Sequence, residues 1–145
     1  MLYREETGLP LPEIRIAEWG KPYFADSPLH FSISHTRTHA VCVLAHCPVG
    51  VDAEELDRRL RGHIARRALS ESEYRQYEQS ENPQETFLRF WVLKEAAAKL
   101  SGQGLQGFPN HTHFVLPDER IRVWDGCLIA LMAEDESEGV EFYAV

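Results

Sequence analysis

Cysteine is scarce in this chain. Three occur among 145 residues, Cys42, Cys47 and Cys127. An odd count without framework spacing excludes a disulfide scaffold and points to reduced thiols, hence a cytoplasmic protein. Long apolar runs are also missing. The longest, Ala40 to Ala45 and Cys127 to Ala133, are far too short to span a bilayer, and the opening Met-Leu-Tyr-Arg-Glu-Glu has no signal-peptide pattern. Positive charge is in deficit: 15 Lys and Arg against 23 Asp and Glu leave a net charge of −8. That argues against nucleic acid and against an anionic membrane as partners. Internal repeats and low-complexity tracts are absent. What remains is the size and composition of one ordinary domain over residues 1–145, with a Pro- and Gly-rich irregular arm over 1–29 and a core over 30–145.

Local patterning predicts strands first and helices next. One strand is expected within Leu11 to Trp19, followed by a turn at Gly20-Lys21-Pro22. His30 to His35 alternates at period two, with Phe31 and Ile33 expected to face inward. Ala40 to Ala45 reads as a more buried strand, joined tightly through His46, Cys47 and Pro48 to a third strand over Val49 to Glu54. A helix is expected from Asp57 or Gly62 to Ala68. Ser70-x-x-Glu73 has capping-box spacing for a short helix over Glu71 to Gln79. Asn82-Pro83 starts a long helix to about Leu100, ended by Gly102. Strands are then expected over His113 to Leu116, Ile121 to Trp124, Cys127 to Met132 and Val140 to Val145. The fold class is α+β, an antiparallel sheet packed against a long helix.

Chemistry concentrates in two places. In Val49-Gly50-Val51-Asp52-Ala53-Glu54, residues two apart share a strand face, so Asp52 and Glu54 project together while Val51 and Ala53 turn away. Neighbouring carboxylates repel unless a cation or a proton sits between them. In the long helix, Phe87, Trp91, Glu95 and Lys99 recur every four residues and form one stripe. The aromatic end of that stripe is core, which directs Glu95 and Lys99 towards the body of the protein. Three carboxylates beside a lysine make an all-oxygen site for a hard cation, and Mg²⁺ with a phosphate-bearing ligand suits it. A zinc site from His35, His39, Cys42, His46 and Cys47 is disfavoured by loose spacing and by the lack of a second paired set.

Four elements stand in order: Gly20-Lys21-Pro22, Phe31-Ser32-Ile33-Ser34-His35-Thr36, Gly50-Val51-Asp52-Ala53-Glu54, and Trp91-x-x-Lys94-Glu95-Ala96-x-x-Lys99-x-x-Gly102-x-Gly104-Leu105. Together they resemble the 4′-phosphopantetheinyl transferase superfamily, and its Sfp-like branch in particular. The segment Ile64 to Tyr74 resembles the stretch linking the two acidic motifs there. The resemblance implies transfer of the phosphopantetheine arm of coenzyme A to a serine of an acyl or peptidyl carrier protein, releasing adenosine 3′,5′-bisphosphate. It implies that Asp52, Glu54 and Glu95 hold Mg²⁺, with Mn²⁺ the alternative ion. Glu95 would take the serine proton and Lys99 would face the pyrophosphate, assisted by Lys94. Ser34 and His35 would contact the CoA phosphates, and Lys21 and Pro22 would lie along the adenine-nucleotide end.

The chain is shorter than the two-halved enzymes of that branch, and the missing half would carry one wall of the cleft. A homo-oligomer, in which another copy supplies the wall, is therefore expected. The alternative is a descendant that binds CoA or a carrier without transfer. A metal-dependent hydrolase would account for the acidic residues but not for the Gly-Lys-Pro and Ser-His elements. Arg58, Arg59, Arg61, Arg66 and Arg67 form a basic run on an acidic chain, which suits an acidic protein partner.

Overall fold

The computed structural model describes residues 2–104 and 113–136. Its elements run α1 (Leu2–Thr7), β1 (Ile14–Ile16), β2 (Pro22–Phe24), β3 (His30–His35), β4 (Ala40–Ala45), β5 (Val49–Glu55), α2 (Gly62–Ala68), α3 (Glu71–Gln79), α4 (Pro83–Ser101), β6 (Ile121–Trp124) and β7 (Cys127–Ala133). All strand pairs are antiparallel: β1 with β2, β3 with β4, and a three-stranded sheet in the order β5-β7-β6. The class is α+β, as expected. No helix among the described residues is long and apolar enough to cross a membrane.

Period two divides the three-stranded sheet into two faces. Leu128, Ala130 and Met132 of β7 join Phe87, Leu88, Phe90, Val92, Leu93 and Ala96 of α4 in the main core. Val51 and Ala53 of β5, with Cys127 and Ile129, form a second cluster against Val41 and Val43 of β4. The sheet is thus covered by α4 on one side and by the β3–β4 hairpin on the other. That sandwiching buries β5 almost throughout. Gly50 is what lets α4 come so close. A Cβ at Gly50 would stand 2.1 Å from the Ala96 carbonyl oxygen and 2.4 Å from the Leu100 nitrogen.

The helix termini follow the sequence signals. Ser70 accepts from Glu73 N while Glu73 accepts from Ser70 N, which completes the capping box of α3. Asn82 caps α4, Pro83 opens it, and Gly102 ends it in the left-handed conformation at φ 70°. Asp125 and Gly126, both at positive φ, make the two-residue turn joining Trp124 to its partner Cys127.

Several expectations need correction. The first 29 residues are not wholly irregular, since they carry α1, β1 and β2. Ile33 faces outward and is exposed, while Ser32 and Ser34 are buried. Polar satisfaction overrides hydrophobicity here. The Ser32 hydroxyl accepts from Val51 N at 3.0 Å and the Ser34 hydroxyl from Ala53 N at 3.1 Å, so two serines stand in for a backbone ladder between β3 and β5. β4 is the less buried neighbour, and its Cys42 is exposed. Residues 113–116 are not a strand. Their N–H groups go to side chains of α3 instead: Phe114 N to Glu73 and Leu116 N to Gln76. The strand expected over Val140 to Val145 lies outside the described residues.

Candidate active site

Asp52 sits on the α4 face of β5, opposite Ala130 of β7. Apolar neighbours on that face and the close approach at Gly50 leave it only 5% exposed. Its Oδ1 accepts from Ser34 Oγ at 3.0 Å and from Lys99 Nζ at 2.8 Å. Its Oδ2 is buried and has no hydrogen-bond partner among the described residues. Burial pushes the Asp52 carboxyl above the ordinary aspartate range, against the pull of Lys99 and Ser34. A buried carboxylate oxygen without a donor is costly unless something else fills the position.

Glu95 reaches the same place from α4. Burial raises its pKa most, with the charges of Asp52 and, less, of Glu54 adding to the rise, while Lys99 opposes it. The three carboxylates named from the sequence are therefore close enough to feel one another. Glu54 is buried, and its Oε1 is ion-paired with Arg58 Nη1. With Asp52 held by Lys99 and Glu54 by Arg58, no group of three or more His, Cys, Asp or Glu among the described residues is gathered tightly enough to enclose an ion. The donor chemistry nonetheless fits a hard divalent cation: an orphaned buried oxygen on Asp52, a neighbouring carboxyl with a raised pKa, and oxygen donors alone.

The remaining sequence-named residues fall in different surroundings. Ser34 is buried and engaged with Asp52 and Ala53 N, inside the acidic cluster rather than on a free surface. His35 is exposed and lines a cavity of about 640 Å³ with Thr36, Arg37, Glu54, Arg58 and Arg59. Lys21 donates to Leu100 O at 2.9 Å and to Val49 O at 3.2 Å, so its ammonium closes the C-terminal end of α4 onto β5. Burial lowers its pKa. Pro22 opens β2 beside it. Lys94 is withdrawn into the core, where its Nζ pairs with Glu73 at 2.9 Å and lies over the Phe114 ring. That position corrects the expectation that Lys94 assists at the pyrophosphate: its charge is held by Glu73.

Sequence reasoning missed two partners. Arg58 follows Glu54 by four residues, a spacing that signals an ion pair on a helix but carries no such signal at a strand end. Capping-box spacing gives Glu73 the role of a cap alone. It is wholly buried, and its carboxylate also takes Phe114 N and Lys94.

Residues 48–126 match the family model of the 4′-phosphopantetheinyl transferase superfamily. The chain belongs to that superfamily. Its relatives include a 4′-phosphopantetheinyl transferase of Bacillus subtilis, 36% identical over 93 residues, a match covering 62% of this chain and 41% of that protein. The 4′-phosphopantetheinyl transferase Sfp of Bacillus subtilis strain 168 is 34% identical over 91 residues, covering 61% of this chain and 40% of Sfp. A holo-[acyl-carrier-protein] synthase of Erwinia tasmaniensis is 37% identical over 65 residues, covering 41% of this chain and 52% of that protein. These similarities agree with the Sfp-like branch. The chain spans about two fifths of the length of the Bacillus relatives it matches.

Proposed function

We propose that this phosphopantetheinyl transferase-family chain moves the phosphopantetheine arm of CoA to a carrier-protein serine, releasing adenosine 3′,5′-bisphosphate. The observation that carries the reading is the Asp52, Glu95 and Lys99 arrangement between β5 and α4, with one buried oxygen of Asp52 left without a donor. Phosphoryl transfer depends on positioning and charge neutralisation more than on covalent chemistry by the protein, and this arrangement offers both. Asp52, Glu54 and Glu95 are the residues that would hold Mg²⁺, or Mn²⁺. When bound, the ion would neutralise charge on the CoA pyrophosphate and on the departing bisphosphate.

The chain's own groups supply the rest. Lys99 is held at Asp52 and is about one third exposed, so its ammonium is available to follow phosphate oxygens. Glu95 is the proton acceptor for the serine hydroxyl, since burial raises its basicity above that of an ordinary glutamate. Ser34 fixes Asp52 and so orients the cluster. His35 reaches the CoA phosphates from the neighbouring cavity. Arg59, Arg61 and Arg67 are exposed on and before α2, and Arg66 stacks on Tyr74, a basic face suited to an acidic carrier surface. We further propose a homo-oligomer, in which a second copy of the chain lines the cleft, and a cytoplasmic location.

The test measures bisphosphate released from CoA with and without an apo carrier. Carrier-dependent release, lost in Glu95→Ala, supports the transferase. Release of inorganic phosphate without carrier favours a hydrolase. CoA binding without release on any carrier favours the non-catalytic reading.

A further inference from the structure

We infer that Arg58 is an internal counter-ion occupying the cation's place at Glu54, and that it must swing away before the acidic cluster can close around a divalent ion. The inference rests on the cation reading of Asp52, Glu54 and Glu95. Glu54 is the member of that set whose carboxylate is paired with the Arg58 guanidinium. Lys99 similarly neutralises Asp52. Two cations of the chain therefore hold two of the three carboxylates.

The two are not equivalent. Lys99 comes from within α4 and reaches a carboxylate that is also fixed by Ser34. Arg58 lies in the connection after β5, and its backbone is pinned while its side chain is not. Arg58 N donates to Glu55 O at 2.9 Å, and Gln84 Nε2 donates to Arg58 O at 3.0 Å. The side chain is 44% exposed, against 11% for Glu54. Rotation of the side chain alone moves the guanidinium off Glu54 with no change in the turn.

Its destination is constrained too. Of the other carboxylates nearby, Glu55 and Asp57 are both taken by Arg37, and Glu95, which also feels the Arg58 charge, belongs to the cation's own set. A guanidinium leaving Glu54 stays within the 640 Å³ cavity that it already lines with Glu54, Glu55, Asp57, Arg37, Arg59 and His35. With Arg37 on Glu55 and Asp57, and a cation on Glu54, Arg58 and Arg59 are left there without a carboxylate. Only once the cation has taken Glu54 does that lining favour an anion, and phosphate oxygens brought in with the cation fit it. Arg58 exchanges a carboxylate for a phosphate, so it opposes the cation alone and assists a phosphate-bearing ligand once the cation is bound. One substitution should therefore have effects of opposite sign on the two ligands.

The experiment titrates the full chain with Mn²⁺, followed by electron paramagnetic resonance, and then titrates Mn²⁺-saturated protein with CoA by calorimetry. Arg58→Met should bind Mn²⁺ about two- to fivefold more tightly than the parent, the range expected on removing a partly exposed ion pair. The same variant should bind CoA more weakly in the Mn²⁺-saturated protein. Arg58→Lys, which keeps the charge, should stay near the parent for Mn²⁺. Arg122→Met, which removes an exposed charge elsewhere, should leave Mn²⁺ affinity unchanged. Far-UV circular dichroism checks that each variant is folded. Equal, finite Mn²⁺ affinities for parent and Arg58→Met overturn the counter-ion role and leave the cation reading standing. Tighter Mn²⁺ with unchanged CoA affinity overturns the exchange onto phosphate. No saturable Mn²⁺ binding by either protein overturns both the inference and the cation reading beneath it.

Discussion

Replacing Lys94 by Met should destabilise the protein heavily while leaving CoA affinity almost intact. Lys94 and Glu73 form an ion pair at 2.9 Å with side chains only 3% and 0% exposed. Removing one partner of a buried pair leaves the other charge uncompensated, at a cost of about 3–5 kcal/mol. Glu73 keeps two backbone donors, Ser70 N at 2.8 Å and Phe114 N at 2.9 Å, which places the loss near the lower end. With a urea m-value of about 2 kcal/mol/M for a domain of this size, a loss of about 3 kcal/mol lowers the midpoint by roughly 1.5 M. Urea unfolding followed by tryptophan fluorescence measures that shift. The double variant Lys94→Met/Glu73→Gln should recover part of it, because no unpaired charge remains. A midpoint within about 0.3 M of the parent, combined with weakened CoA binding, would refute the reasoning and restore Lys94 to the phosphate end of the site.

Three further substitutions probe the frame around the site. Gly50→Ala places a methyl group against the Ala96 carbonyl and the Leu100 backbone, which cannot yield as side chains can. It should cost about 2–3 kcal/mol in chemical unfolding and reduce turnover by pushing Glu95 and Lys99 away from Asp52. Ser34→Ala strips Asp52 of one donor and Ala53 N of its acceptor. Its expected loss is about 1–3 kcal/mol, read as a lower melting temperature. Asp118 is held below the ordinary aspartate range chiefly by Arg120, so the pair stabilises the fold above that range and the stabilisation fades as pH falls through it. Asp118→Asn should therefore be less stable than the parent at pH 7, by about 1 kcal/mol, and equal to it in strong acid. A constant difference at every pH would contradict that assignment.

Much of this architecture could be read from the residues, because local signals and global packing agree over β5, α3 and α4. Pro83, Asn82 and Gly102 mark α4 without tertiary information. Strand parity alone places Asp52 and Glu54 opposite Val51 and Ala53. What escaped depends on contacts distant in sequence. Hydrophobicity assigned Ile33 inward, but the N–H groups of Val51 and Ala53 needed acceptors, and the alternate serines of β3 provide them. Lys21 was expected near a nucleotide, yet no local pattern reveals that its ammonium meets the carbonyls of Leu100 and Val49. Glu73 and Lys94 were each readable in a local role, as a cap and as a motif lysine. Only folding brings them to one buried point. Nor does any local pattern show that Gly50 must lack a side chain where α4 crosses.

Intact-protein mass spectrometry of apo carrier proteins, after incubation with this chain, CoA and Mg²⁺, tests the central claim most directly. The account predicts a gain of one phosphopantetheine on a carrier serine, abolished in Asp52→Ala and Glu95→Ala. No gain on any acyl or peptidyl carrier, while CoA still binds, would contradict it and identify the chain as a binding member of its family.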